Sequence, residues 1–287
     1  MIEIIEFTDP VCTWCWGSEP VLRKIETKYQ EQVKVKFVMG GLVEDMRDFQ
    51  DEFNGIGGEL SEVNKQIASH WLEASKRHGM PVKTEGFSFF TEEDTSTYPT
   101  NIAYKAAQMQ DEKLADRFLR RVREAVAAEA KQANRMEVLQ ELVKEVGLDE
   151  KQWLEQMENG TAKQEFEKDL ATCRAFQIYA FPSYLVKNQN GDARLLRGFQ
   201  SYEAFQKAIR ELSDGSIQEQ QDRYEGQLQE QILHLIQHYE SITVTELAMI
   251  LDCSKQEIEE VVKDLVEQKM AEVKDAGNGY FIRIQAK

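Results

Sequence analysis

Two cysteines three positions apart carry the first chemistry of this chain. Cys12 and Cys15 stand in the run Asp9-Pro10-Val11-Cys12-Thr13-Trp14-Cys15-Trp16-Gly17, straight after the apolar positions Ile2, Ile4, Ile5 and Phe7. The pattern predicts a strand followed at once by a helix, with Cys12 at the helix start. The first amides of a helix have no intrahelical acceptor, and the helix dipole is positive there, so a sulfur at that point is favoured as thiolate. Cys15, three residues on, is within reach of Cys12 and the pair can close a disulfide. Thiol–disulfide exchange needs an attacking thiolate, a mixed disulfide, and a second thiol that releases the product. Cys12 is the candidate nucleophile and Cys15 the resolving thiol. Thr13 and Trp14, between them, supply no cation to reinforce the thiolate. A structural zinc site needs four ligands, and Cys173 and Cys253 form no second pair; both read as structural. His234 and His238 lie four apart on one helix, as paired metal ligands can, but no metal is expected.

The elements around the pair follow from periodicity. A strand over 2–7, a helix over about 13–31 with Pro20 inside it, and the alternating strand Val33 to Met39 make a β-α-β opening. Residues 44–160 read as mostly helical, with helices near 60–79, 100–110, 112–131, 134–146 and 149–158. Asn54 to Gly58 is a glycine-rich connection, not a phosphate loop, since it follows no strand and lacks a lysine–threonine ending. A helix over about 162–177 leads to Tyr179-Ala180-Phe181-Pro182-Ser183-Tyr184-Leu185-Val186, where a third strand begins. Asn190-Gly191 signals a hairpin to a fourth strand over Ala193 to Arg197, and a helix over 201–212 follows, with Phe205 and Ile209 inward.

This order is an α/β thioredoxin fold with a large inserted helical domain. The core is 1–43 with 161–212, and the insert is 44–160. In that architecture the loop before the third strand packs against the dithiol, so Pro182 is expected to be cis, an isomer confined to X–Pro bonds. Phe181 then offers an aromatic contact to a substrate or a core side chain. Trp14, Trp16, Phe7 and Phe181 are candidates for an apolar rim, of which Phe181, Pro182 and Trp14 are taken as substrate-binding.

A linker is expected over 213–226, and a separate small module over 227–287. Thr243-x-x-Glu246 and Ser254-x-x-Glu257 are capping boxes that start helices over about 244–251 and 255–268. Strands near 271–274 and 280–284 flank the turn Gly277-Asn278-Gly279. Three helices and a hairpin make a winged-helix-like order. Residues 226–287 hold 6 Lys/Arg against 11 Asp/Glu. DNA affinity rests largely on neutralised phosphates, so this module is read as a protein-contact surface and no nucleic-acid partner is expected. The whole chain carries a net charge of −16, which also disfavours anionic membranes. No apolar run approaches the roughly 20 residues of a membrane span. The first strand begins at Ile2 without a basic head, and the cysteine usage fits a reducing compartment, so a cytoplasmic protein is expected.

The arrangement resembles the DsbA-like branch of the thioredoxin superfamily, particularly the cytosolic FrnE-like dithiol oxidoreductases. That resemblance implies Cys12 and Cys15 as the redox pair, Pro182 as the cis-proline, protein or peptide thiols as substrates, and no cofactor. Thr13 replaces the proline often found after the first cysteine and Trp14 the histidine of the most oxidising members, which implies a reductase or isomerase. With its acidic C-terminal part, the chain is also similar to the DsbA-like adaptor family of Gram-positive bacteria, which deliver the regulator Spx to the ClpXP protease. The shared outline is Asp9-Pro10-x-Cys12-x-x-Cys15-Trp16-x-x-Glu19-Pro20 and the tail Gly279-Tyr280-Phe281. Kappa-class glutathione transferases and chromene-carboxylate isomerases share the fold with its insert, but usually carry serine at the position of Cys12.

Overall fold

The structure is a computed structural model that describes residues 1–220 and 226–285. Its main sheet has the order β2-β1-β5-β6, formed by β1 (Ile2–Thr8), β2 (Val33–Met39), β5 (Ser183–Asn188) and β6 (Ala193–Arg197). β1 runs parallel to β2, with Ile2 opposite Val33 and Thr8 opposite Met39. β5 runs antiparallel to both β1 and β6. Alternation along β1 sends Ile2 and Ile4 toward α1 (Thr13–Tyr29) and α8 (Tyr202–Leu212), where they meet Val21, Ile25, Phe205 and Ile209. Phe7 goes the other way, onto Cys173, Ile178 and Leu185. The same alternation puts Glu6 on the α1 side, and it is fully buried.

Between β2 and β5 lies the inserted part. It opens with a small ribbon, β3 (Gln50–Asp51) paired to β4 (Ile56–Gly57), which encloses the glycine-rich connection. Five helices of the insert follow, α2 (Leu60–His78), α3 (Tyr98–Gln108), α4 (Glu112–Ala127), α5 (Met136–Val146) and α6 (Glu150–Glu158), and α7 (Thr161–Ala175) then leads back into the main sheet. Their apolar faces share one core around Trp71, Tyr104, Phe118, Leu142 and Trp153. The helix boundaries differ from the sequence reading by a few residues at most. Pro20 is accommodated inside a continuous α1.

The C-terminal part comprises α9 (Leu228–Tyr239), β7 (Ile242–Thr243), α10 (Val244–Leu251), α11 (Lys255–Glu267), β8 (Ala271–Asp275) and β9 (Tyr280–Ile284). Both expected capping boxes form, at Thr243/Glu246 and Ser254/Glu257. A third, Gln227/Glu230, starts α9. The segment has its own core of Leu235, Leu247, Ile258, Val262 and Ile282. Of the expected linker over 213–226, positions 221–225 lie outside the described residues.

The segment is not separate from the rest, as the sequence reading expected. Phe281 and Ala276 belong to the same apolar core as Trp16 and the insert. The tip of the β8–β9 hairpin is a docking device. The Asn278 amide donates to the Val82 carbonyl at 3.1 Å, its side-chain carbonyl accepts from the Val82 amide at 2.8 Å, and its side-chain nitrogen donates to Ser75 Oγ at 3.0 Å. Gly277 is needed here: its φ is +75°, and a Cβ would stand 2.3 Å from the Val82 carbonyl oxygen. Thr245 Oγ1 donates to the Gly79 carbonyl at 2.6 Å. A hairpin turn reads the same in sequence whether its tip meets water or protein, so this contact has no local signature.

Candidate functional site

Cys12 is the N-cap of α1. Its backbone is extended, and its Sγ accepts from the Cys15 amide at 3.4 Å. That sulfur also lies 3.6 Å from the Phe181 carbonyl oxygen, to which its thiol donates. The Phe181–Pro182 bond is cis, and the loop before β5 meets the dithiol through the Phe181 carbonyl. Both thiols are free; Cys12 is 6% exposed and Cys15 fully buried. Burial and the neighbouring Cys12 push the Cys15 thiol well above its ordinary range, Glu6 adds to the rise and Arg123 opposes it. Both cysteines are thus buried, Cys12 slightly less so, and the Cys15 thiol is held protonated.

The turn ahead of Cys12 is fixed by Asp9. Its buried carboxylate accepts from the amides of Val11 (2.8 Å) and Leu42 (2.7 Å), from Thr97 Oγ1 (2.9 Å) and from Asn101 Nδ2 (2.8 Å). This one side chain ties the start of α1 to the end of β2 and to α3. Burial raises its pKa even so.

Beneath the dithiol runs a chain of buried charges. Arg123 on α4 is fully buried, donates to Thr8 Oγ1 at 2.5 Å, lies 3.3 Å from the Glu6 carboxylate and pairs with Glu19. Arg120, stacked over the Trp16 ring at 4.5 Å, links Glu19 at 3.2 Å to Glu246 at 2.7 Å. Glu246, on α10, also binds Arg23 of α1 at 3.0 Å. The sequence Glu6–Arg123–Glu19–Arg120–Glu246 thus connects the strand under Cys15 to the C-terminal part. The two carboxylates that flank Arg123 respond oppositely. Burial lifts Glu6 to about 7 against the pull of Arg123, whereas three guanidiniums outweigh burial at Glu19 and hold it at about 2.

A pH-dependent stability follows from Glu6. Between pH 4.5 and 7 the folded chain keeps a proton on Glu6 that the unfolded chain releases, so this group's contribution falls as pH rises through that window. Glu19 acts on the other side: its stabilisation is present above its unfolded value near 4.5 and is lost only as pH falls toward 2. Glu6→Gln should therefore gain on the parent by about 2–4 kcal/mol as pH rises from the lower to the upper end of the Glu6 window. Urea titrations of both proteins across that range read it directly; a constant difference would place the Glu6 carboxyl in an ordinary environment.

A groove of about 560 Å³ opens beside Cys12, bounded by the β3–β4 ribbon, α2 and the segment Tyr179 to Phe181. Trp14 lies in its wall, with its ring 5.9 Å from His78, 6.3 Å from His70 and 5.8 Å from Phe199. The Phe181 ring packs down over Gly40, where an added Cβ would come within 2.0 Å of it. Its backbone carbonyl, not its ring, faces the sulfur. Two of the four rim candidates are core. Trp16 is 1% exposed, donates through Nε1 to the Pro81 carbonyl at 2.9 Å and meets Phe281. Phe7 is fully buried against Phe176. Cys173 is buried on α7, its thiol pushed up to about 12 chiefly by burial.

The sequence reading did not find Tyr179, Phe53, His70 or the buried charges. Tyr179 and Phe53 are 78% and 97% exposed. Glu6 had a signal available, since it shares the alternation of Ile2 and Ile4.

A family model described as Thioredoxin matches residues 6–207. The chain belongs to this thioredoxin family. It is also similar, at 24% identity over 284 residues, to the ClpXP adapter protein SpxH of Halalkalibacterium halodurans, spanning 98% of this chain and 88% of that one. The SpxH of Bacillus cereus is 26% identical over 268 residues, spanning 92% of this chain and 84% of its own. Among solved structures, the cytosolic disulfide reductase DsbM from Pseudomonas aeruginosa superposes with a TM-score of 0.53 at 18% identity, covering 74% of this thioredoxin-family chain and 94% of DsbM. A 2-hydroxychromene-2-carboxylate isomerase gives a TM-score of 0.51 at 11% identity, covering 75% and 99%. These two likenesses speak to the fold.

Proposed function

We propose that this chain is a cytoplasmic thiol–disulfide exchange protein acting on protein thiols, reductase or isomerase in character. The supporting observation is the asymmetry of the dithiol: Cys12 Sγ stands at the helix start beside the groove, within 3.6 Å of the Phe181 carbonyl, while Cys15 is sealed behind it. In the reading, the Cys12 thiolate attacks a substrate disulfide, forming a mixed disulfide and releasing one substrate thiolate. Cys15 then gives up its proton, which the departing substrate sulfur takes, and attacks the Cys12 sulfur. The substrate leaves with two electrons as a dithiol, and the protein keeps the Cys12–Cys15 disulfide until an external thiol reduces it. Phe181 and Pro182 offer main-chain contacts to the incoming segment and Trp14 an aromatic wall. The core over 1–43 and 161–212, the insert over 44–160 and a winged-helix-like unit over 227–287 serve in this account as site, groove wall and support.

The test is turnover. Cys12→Ser/Cys15→Ser should reduce insulin or rearrange a scrambled substrate no faster than a solution without protein, while its thermal melt shows the fold intact. Turnover by the parent no better than free dithiothreitol would remove the enzyme reading.

A second reading has its own support. The SpxH relatives align over nearly the whole chain, including the acidic C-terminal part, whereas the match to DsbM covers 74%. In that reading the chain is an adaptor that presents a regulator protein to the ClpXP protease, and its dithiol senses redox state. The double variant would then still hold its partner.

A further inference from the structure

The groove beside Cys12 has a charge character as well as a shape. Cys12 is only 6% exposed, so a partner sulfur reaches it only on a segment that enters the groove. The walls are apolar, with Phe49, Ile56, Ile67 and Trp71 among them. Two aromatic rings stand free at its mouth: Phe53, 97% exposed at the turn of the β3–β4 ribbon, and Tyr179, 78% exposed just before the Phe181–Pro182 pair. Among the described residues no lysine or arginine lines the groove, and Asp51 and Glu52 bring two carboxylates to the ribbon side. Asp51 shapes the turn that carries Phe53, accepting from the Asn54 amide at 3.0 Å and from Asn54 Nδ2 at 2.6 Å. Lys65 and Arg77 line the adjoining depression, with Lys65 paired to Glu62 and Arg77 over Trp14.

A fully exposed phenylalanine on a two-residue-strand ribbon does nothing for folding, because it covers no apolar surface of its own chain. Placed with Tyr179 across a sulfur-bearing groove, it suits an extended segment with an apolar residue next to its cysteine. The carboxylates select the flanks: a lysine or arginine running over the ribbon meets attraction, and a glutamate meets repulsion. With a net charge of −16 on the whole chain, the long-range field acts in the same direction.

We propose that the groove is a docking site for an extended, cysteine-bearing segment of a protein partner, apolar beside the cysteine and basic on the side that crosses the β3–β4 ribbon. This rests on the thiol-exchange reading for the role of the cysteine but not for the binding. Full-length protein is titrated into fluorescein-labelled peptides with an apolar centre and lysine, glutamine or glutamate flanks, each made with serine in place of cysteine so that no covalent step contributes. Anisotropy should show the lysine peptide binding about tenfold tighter than the glutamate peptide at low salt, with the gap closing toward parity in high salt. Asp51→Asn/Glu52→Gln should erase most of that preference, and Glu52→Gln alone, at an exposed position, should reduce it without touching the Asp51 turn. Phe53→Ser should weaken all three peptides alike. Binding blind to flank charge, a preference for glutamate, a lysine preference untouched in both variants, or no binding by any peptide would overturn the proposal. Versions of the same peptides carrying the cysteine as a disulfide with glutathione, tested in a Cys15→Ser background, separate the two readings: Cys12 exchanges into the peptide disulfide and releases glutathione, and charge-selective binding without that mixed disulfide leaves docking standing and removes exchange.

Discussion

Arg123→Met is expected to destabilise the protein by about 3–5 kcal/mol, the cost of stripping a buried ion pair of one partner. Methionine fills similar volume, so little of this is cavity. The loss comes from what stays behind: Glu6 without a facing guanidinium, Glu19 with only its more distant pairing to Arg120, and Thr8 Oγ1 without its 2.5 Å donor. Glu6→Gln in the same chain should recover part of the loss, because it removes one of the stranded carboxyls. Urea midpoints of the single and double variants measure this. A single-variant loss below about 1 kcal/mol would mean that water already reaches the Arg123 guanidinium. The same network explains why removal of 227–287 is a poor probe of function. Deletion would strand Arg120 and Arg23 without Glu246 and uncover Trp16, so it would damage the core whichever role the segment has.

What was legible in the sequence was local. The β1–Cys12–α1 passage, the Pro182 turn, the Asn190-Gly191 hairpin and both capping boxes are each set by residues within a few positions of one another, and each is found where the pattern puts it. What was not legible depends on distant partners. Trp16 reads as a rim residue in sequence because it neighbours Cys15, yet one turn of helix aims it at Pro81 and Phe281. Arg120 and Arg123 carry no local signal in sequence, since their partners Glu19 and Glu246 lie far along the chain. Phe53 sits in a glycine-rich stretch that carries only the signature of a connection. The error over the C-terminal segment has the same origin: its own capping and apolar periodicity specify a unit that could stand alone, and the Asn278 dock becomes visible only with Val82 in place.

The central claim is the division of labour between Cys12 and Cys15, and Ellman's reagent measures it in a Cys253→Ser background that removes the partly exposed fourth thiol. Cys12 should attack the reagent disulfide and release one thionitrobenzoate, leaving the other half on its sulfur. Cys15 should then displace that half, so the Cys253→Ser protein gives about two equivalents in the fast phase and ends with an intramolecular disulfide. Cys15→Ser should stop at about one equivalent and retain a stable adduct at Cys12. Cys12→Ser should lose the fast phase almost entirely, because Cys15 is fully buried and its thiol is held protonated. A fast phase that survives in Cys12→Ser, or a Cys15→Ser protein that still releases two equivalents, would contradict the account.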